Sequence, residues 1–429
     1  MNYIEHVEIN GFWGNKKVVL GFNNSENFLI GVNGSGKTTI INLIAATLSA
    51  DFITLDRIQF QKIILKLKNR ADQRKKPKIE VIKSEDESTP YRRILFRIQH
   101  SIKEKPFEIY LDDLEEERLY RHPSDELRYR YHLGYSASDI KDLQVQLNKI
   151  VNLTWLSIHR YKTNYIRREE RNRGSLIDQK INEFSTDLLK YLSLLNRRAS
   201  EETDKFQEFI FLSLIASGSQ RQLFKVISTI DLDKENEALA QVYSLFGLKE
   251  IDYRSKMEKY FKSFVKAKKN SEKGSISIDD VEYIIGLRRI HSVVQEWNKL
   301  VEKQNSIFKY RDTFLKIINS LLQKKSLIID EKNELKVKTE EGKMLPLTNL
   351  SSGEKQLLII MGETLLQQSS PHIFIADEPE LSLHIQWQEK LVDSLKSINP
   401  NCQIIFATHS PDIVSHYSNS VLYVEKSIK

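Results

Sequence analysis

Two stretches carry residue types that could handle phosphate. Near the amino end stands Gly31-Val32-Asn33-Gly34-Ser35-Gly36-Lys37-Thr38, which fits G-x-x-x-x-G-K-[ST], a phosphate-binding loop. Its glycines let the backbone curl so that successive N–H groups converge on phosphate oxygens. Lys37 adds a point charge, and the Thr38 hydroxyl can ligate Mg2+. Candidate ATP contacts are therefore Asn33, Gly34, Ser35, Gly36, Lys37, Thr38 and Thr39. Far along the chain, the apolar run Ile373–Ala376 ends in Asp377-Glu378. Adjacent carboxylates at a strand end suit hydrolysis of a nucleotide: Asp377 would hold Mg2+ with Thr38, and Glu378 would orient or deprotonate the attacking water.

Three further segments belong with these. Leu350-Ser351-Ser352-Gly353-Glu354 opens an apolar helix, Leu357–Leu366, and offers a second anion-binding helix terminus. Pro379 to His384 forms a loop entering a helix over Gln386–Leu395. His409 follows the apolar strand Gln403–Ala407; at the carboxyl end of a strand beside another strand of this kind, a γ-phosphate contact is the better reading than a structural histidine.

Lys37 and Glu378 would serve one site, so the residues between them must be an excursion from one folded core. Tyr3–Ile9, Lys16–Leu20 and Asn27–Ile30 read as strands, and Thr39–Leu48 as the helix behind the phosphate loop. Alternation at Ile63, Leu65 and Leu67, and at Ile94, Phe96 and Ile98, predicts an antiparallel sheet beside that core. Asp112–Glu117 reads as a solvated helix start, and Val151–Ile158 as a buried strand returning to the core. Ile177–Ser217 and Val281–Leu322 carry apolar residues at steps of three and four, each long enough for roughly 60 Å of helix. They suggest an antiparallel coiled-coil arm, with a compact helical domain as the alternative because Gln304 and Arg311 interrupt the seam. Gln222–Leu245 adds a helix, and the polar stretch Lys266–Ser277 suits a loop. The expected division is 1–165, an amino-terminal lobe; 166–325, a helical insertion; and 326–429, a carboxyl-terminal lobe.

The 429 residues include 29% charged ones and give a net charge of +7. No apolar run approaches the ~18 residues of a membrane span, no signal peptide is visible, and the single cysteine, Cys402, has no internal partner. The expectation is a cytoplasmic protein with no membrane contact. Basic residues gather at Lys66–Lys78, Arg160–Arg173 and Lys262–Lys273. They read as solvated hairpin tips and helix faces, with phosphate-backbone contact as the alternative.

On these motifs the chain resembles the ABC-class ATPases of the SMC, Rad50 and RecF type. Gly31–Thr38 looks like their Walker A, Leu350–Gln356 like their signature, Asp377-Glu378 like Walker B, Glu380–His384 with Ser382 like the D-loop, and His409 like the switch histidine. Within that group LSSGEKQLL, DEPELSLHIQWQ and ATHSPDIV look most like prokaryotic ATPases of the overcoming-lysogenization-defect type, including the ATPase subunits of Septu- and PARIS-type anti-phage systems. The resemblance implies an α/β fold: an ABC-type P-loop head, with a mixed sheet, helices and an antiparallel β subdomain, and a long helical, coiled-coil insertion. It implies ATP and Mg2+ as ligands, and a homodimer or higher oligomer sandwiching two nucleotides. Ser351, Ser352, Gly353 and Glu354 would then act on the ATP of the second copy. It also implies a separate nuclease or toxin effector, with DNA or a phage protein as trigger. Two departures stand out: Ser352 replaces the usual first signature glycine, and no glutamine falls where a Q-loop would be, Gln59 and Gln61 being the candidates. No acidic cluster of a Toprim nuclease follows His409, so nuclease activity is expected elsewhere. A RecF-like ATPase acting directly on DNA is the alternative function; a transporter engine fits least, because of the helical insertion before the signature.

Overall fold

A computed structural model describes residues 2–72, 74–85, 92–101, 104–111, 137–157, 175–215 and 230–429. The acidic run Asp112–Glu117, the basic stretch Arg160–Arg173 and the first part of the expected helix Gln222–Leu245 lie outside them. The strands are β1 (Asn2–Phe12), β2 (Lys16–Gly21), β3 (Glu26–Ile30), β4 (Lys62–Asn69), β5 (Lys78–Glu85), β6 (Arg92–Gln99), β7 (Phe107–Leu111), β8 (Leu153–Ser157), β9 (Lys325–Ile329), β10 (Leu335–Thr339), β11 (Met344–Leu345), β12 (His372–Asp377), β13 (Cys402–Ala407) and β14 (Val421–Tyr423). The main helices are α1 (Lys37–Ser49), α2 (Phe52–Arg57), α3 (Ala137–Ile150), α4 (Leu176–Ile215), α5 (Leu232–Leu245), α6 (Glu250–Glu272), α7 (Ile278–Leu321), α8 (Ser352–Leu366) and α9 (Ile385–Ile398).

The chain divides into two compact units, Met1–Leu189 with Tyr310–Lys429, and Lys190–Lys309. The first holds an antiparallel sheet ordered β2-β1-β4-β5-β6-β7, a small sheet β11-β10-β9, and a sheet ordered β14-β3-β13-β12-β8 whose pairings are all parallel. Strand composition follows burial. In β4, Ile63, Leu65 and Leu67 face the core while Lys66 is exposed, the alternation of a sheet wet on one face. In β13 every residue is buried, as a strand covered on both faces requires. Ile40, Ile41, Leu43 and Ile44 of α1 join one core with Ile4, Val7, Ile63 and Leu65 of the antiparallel sheet and Ile373, Ile375 and Ile405 of the parallel one. Helix α1 is apolar nearly all round because it is packed on both sides.

The second unit is helical. Met257, Phe261, Phe264 and Ala267 of α6 form one core with Leu239 of α5 and Ile284, Leu287 and Val294 of α7. Phe206 of α4 packs with Val242, Trp297 and Leu300. Within residues 190–309 the shorter helices α5 and α6 pack against the long ones. Gln304 sits in the seam and donates to Thr203 Oγ at 3.1 Å, so its polar group is satisfied. The loop expected over Lys266–Ser277 is corrected: α6 runs to Glu272, and the turn follows it. Lysines dominate that stretch, but Phe264 and Ala267 continue the buried seam at helical spacing, and burial outweighs surface charge in setting the period. Among the described residues no helix is long and apolar enough to cross a membrane.

Candidate nucleotide site

Strand register builds the site. Leu29 of β3 pairs with Ala407 of β13, Ala407 with Asp377 of β12, and Asp377 with Ser157 of β8. This single row ends the parallel sheet, and the loops leaving its carboxyl edge carry the motifs, the usual place for a ligand in such sheets. Glu378 N–H donates to Ala407 O at 2.8 Å and Thr408 N–H to Leu29 O at 3.2 Å, which ties the three loops together just beyond the row.

The glycine loop leads straight into α1. Gly34 and Gly36 have φ of 80° and 97°, left-handed backbone that other residues adopt at a cost. Gly36 also lies under the stacked rings of Phe12 and Trp13, where a Cβ would come within 3.0 Å of Trp13. Lys37 is buried and donates to Gly31 O at 2.9 Å and Val32 O at 3.1 Å. Burial pulls its ammonium below the ordinary lysine value, against the opposing pull of Glu425, Glu378, Asp377 and Glu380. The Thr38 hydroxyl donates to Asp377 Oδ1 at 3.1 Å, across 339 residues of sequence. Glu378 has φ of 49°, a strained position of the kind found where function demands it, and its carboxylate stands 4.0 Å from His409 Nε2.

The donor set fits a magnesium nucleotide. A hydroxyl and a carboxylate together are what a hard cation takes. Ser35 Oγ is buried with no hydrogen-bond partner among the described residues, a group that a phosphate oxygen at a helix N-terminus would satisfy. Asn33 and Thr39 lie on the same loop and first turn.

Residues Ser351–Glu354 form a second cluster at the start of α8. Ser351 caps α8 by a reciprocal capping box: its hydroxyl accepts Glu354 N–H at 3.3 Å while its own N–H donates to Glu354 Oε2 at 2.7 Å. Lys325 donates to the same carboxylate at 3.0 Å. Burial pushes the Glu354 carboxyl up, and the Ser351 N–H and Lys325 outweigh it, leaving it below the ordinary value. Ser352 starts the helix, exposed. Gly353 presses on the loop after β12, where a Cβ would lie 2.3 Å from Ser382 O, and Ser382 itself has φ of 68°. Gln356 donates to Pro379 O at 3.0 Å. The structure thus joins Lys37, Thr38, Asp377, Glu378 and His409 at one edge, and joins Ser351–Glu354 to Ser382.

Several residues at this edge have no counterpart in the motif reading. Glu425, beyond β14, accepts Val32 N–H at 2.6 Å from 393 residues away. Together with Gly31, Val32, His409 and Tyr423 it lines a cavity of about 720 Å3. Trp13 roofs the glycine loop from the β1–β2 turn. Gln59 and Gln61 lie beside that turn: Gln59 O accepts from Trp13 N–H at 3.4 Å, and Gln61 packs on Gly11. The residues that follow β8, where a Q-loop would start, fall outside the described ones. No spacing rule reaches Glu425 or Trp13, because their roles arise only from long-range packing.

Parts of the chain are similar to known proteins. "Retron Vc95 probable ATPase" of Vibrio cholerae is 25% identical over 33% of this chain and 32% of its own. A probable metal transport system ATP-binding protein of Chlamydia pneumoniae is 31% identical over 19% and 31%. "Septu protein PtuA" of Bacillus thuringiensis is 28% identical over 27% and 32%. The chain thus spans about a third of the length of these curated relatives. One family's model covers most of the chain, residues 27–415, from β3 through the phosphate loop, the helical unit and the histidine loop. The chain belongs to that family, described as an AAA domain, putative AbiEii toxin, Type IV TA system.

Proposed function

We propose that this chain binds and hydrolyses ATP as a sandwich of two copies, and that it is the regulatory ATPase of an anti-phage system controlling a separate nuclease or toxin effector. The observation that carries the ATPase reading is the 3.1 Å contact between Thr38 and Asp377, beside the buried Lys37. In this reading Asn33 to Thr39 receive the phosphates, and Thr38 and Asp377 hold Mg2+. The bound cation would neutralise charge on the phosphate oxygens. Glu378 accepts the proton of the attacking water, and His409 contacts the γ-phosphate. Residues 166–325 form the segment inserted between the two lobes. The effector role is supported by the toxin–antitoxin wording of the family and by the likeness to retron and Septu proteins.

The sandwich reading gives Ser351, Ser352, Gly353, Glu354 and Ser382 to the nucleotide of the second copy; their grouping, with Gly353 against Ser382 O, supports treating them as one unit. Mixing inactive Lys37→Ala chains with inactive Ser351→Arg chains tests it. Heterodimers would hold one intact and one doubly damaged site, so hydrolysis should reappear in the mixture. A mixture as inactive as its parents would sink the sharing. The effector role is tested by asking whether a nuclease or toxin is encoded next to this chain's gene and co-purifies with it; absence of any such neighbour, or its failure to bind in either nucleotide state, would overturn it.

A further inference from the structure

We propose that Glu380 is the positioning residue for His409, holding the histidine loop in place through one carboxylate oxygen. The inference rests on the reading of His409 as the γ-phosphate contact. Glu380 follows β12 and the Asp377-Glu378 pair, and it is 8% exposed. Its Oε1 accepts three donors from the loop after β13: Thr408 Oγ at 2.7 Å, His409 N–H at 2.8 Å and Ser410 N–H at 3.2 Å. The second oxygen, Oε2, is buried without a partner among the described residues. A buried carboxylate is tolerated only where donors compensate its lost hydration, and here they are the Thr408 hydroxyl and the backbone N–H groups of His409 and Ser410.

The imidazole itself has little to fix it. Its ionic neighbour among the described residues is Glu378 at 4.0 Å, beyond hydrogen-bond range, and its side chain is 39% exposed. The ring's place is therefore set by where the backbone puts it; Leu29 O takes Thr408 N–H at 3.2 Å and Thr408 Oγ takes Ser410 N–H at 2.9 Å, but the acceptor of the His409 N–H itself is Glu380. Gln388 of α9 braces the same loop: its Oε1 accepts Ser410 Oγ at 2.6 Å while its Nε2 donates to Leu383 O at 2.8 Å. Since Gln356 of the signature helix donates to Pro379 O, one short run of backbone, Pro379-Glu380, touches both the signature helix and the histidine loop.

The test combines amide exchange with steady-state kinetics on the whole chain. Glu380→Ala should speed exchange at His409 and Ser410 by about tenfold or more while β12 amides keep their protection. The same variant should lower kcat by about tenfold or more, with KM for MgATP within about twofold. Glu380→Gln keeps an acceptor at Oε1 and should stay within about threefold of wild type in both readouts. Added to His409→Ala, Glu380→Ala should cost less than about a further twofold, because the residue it positions is gone. Should Glu380→Ala lose protection in β12 as well, Glu380→Asp, which draws the oxygen back by one methylene, replaces it with the same expectation. Unchanged exchange at His409, or losses that multiply in the double variant, would overturn the proposal. If wild type hydrolyses no ATP, the ATPase reading fails separately, and the exchange result still decides whether Glu380 holds the loop.

Discussion

The two compact units treat polar side chains in opposite ways. In the unit of residues 1–189 and 310–429, Lys37, Glu354, Gln356, Glu380 and Thr408 are all buried, and they gather around the motif loops. In the unit of residues 190–309 most charged pairs lie on helix surfaces, as with Arg197–Glu201 and Lys299–Glu296; the buried Glu235, paired with His291 at 2.6 Å, and Asp280 are exceptions. A buried polar group costs stability unless each of its partners is present. Other buried polar residues of the same unit, Glu80, Asn399 and Gln403 among them, lie away from these loops, so it is the grouping of Lys37, Glu380 and Thr408 with the motif loops, and not burial alone, that sets the edge apart.

Substitutions at matched depth should separate these regimes. The largest effect is expected at Glu378→Gln, where the amide cannot take a proton from water. Hydrolysis should fall by about two to four orders of magnitude with ATP binding and thermal stability retained. Wild-type turnover in that variant would remove Glu378 as the base and weaken the contrast at its strongest point. Phe264→Ala should do the reverse. This side chain is 1% exposed in the helical unit, and its loss should cost about 3–5 kcal/mol of stability there. Amide exchange should rise across α6 and α7 while the β-sheet core keeps its protection. Equal loss of protection in both units would show that they do not unfold separately.

A smaller effect concerns acid. Glu354 is held below its ordinary value of 4.5 in the fold, so its contribution is fully present above that value and is lost as pH falls through the lower folded value. Glu354→Gln should therefore reduce Tm at neutral pH, and its deficit against wild type should shrink on acidification below 4.5. A deficit that stays constant with pH would mean that the capping box works through shape alone.

What was readable in the sequence follows the same divide. The phosphate loop, the paired carboxylates and the strand–loop–helix order around them could be read because each role admits few residue types at fixed spacing. The antiparallel sheet was visible at β4 and β6, where Ile63, Leu65 and Leu67, and Ile94, Phe96 and Ile98, recur at every second position despite Ile64 and Leu95 between them. The helical unit announced its long helices by period but hid α6, where lysines between Phe261 and Ala267 mask a seam that only its neighbours reveal. Glu425 and Trp13 were invisible for a different reason: each meets the glycine loop through tertiary packing, and nothing local to them signals it. Glu380 could be read as part of a loop, but its hold on Thr408, His409 and Ser410 depends on β12 and β13 lying side by side.

The pairing of β3 has a consequence for how the chain comes into being. In the antiparallel sheet β1 meets β2 and β4, and β4 to β7 follow in order, so that sheet can close soon after its residues leave the ribosome. β3 has no such luxury, since its neighbours are β13 and β14. At about 5–20 residues per second, the phosphate loop must wait roughly 20–75 s for residues 402–407 to arrive. Throughout that interval Phe28 and Leu29, wholly buried in the finished protein, have no sheet to enter. The helical unit, whose contacts are local, can form meanwhile. Synthesis thus delivers the residues of the helical unit before those that complete the edge where β3, β13 and β12 end.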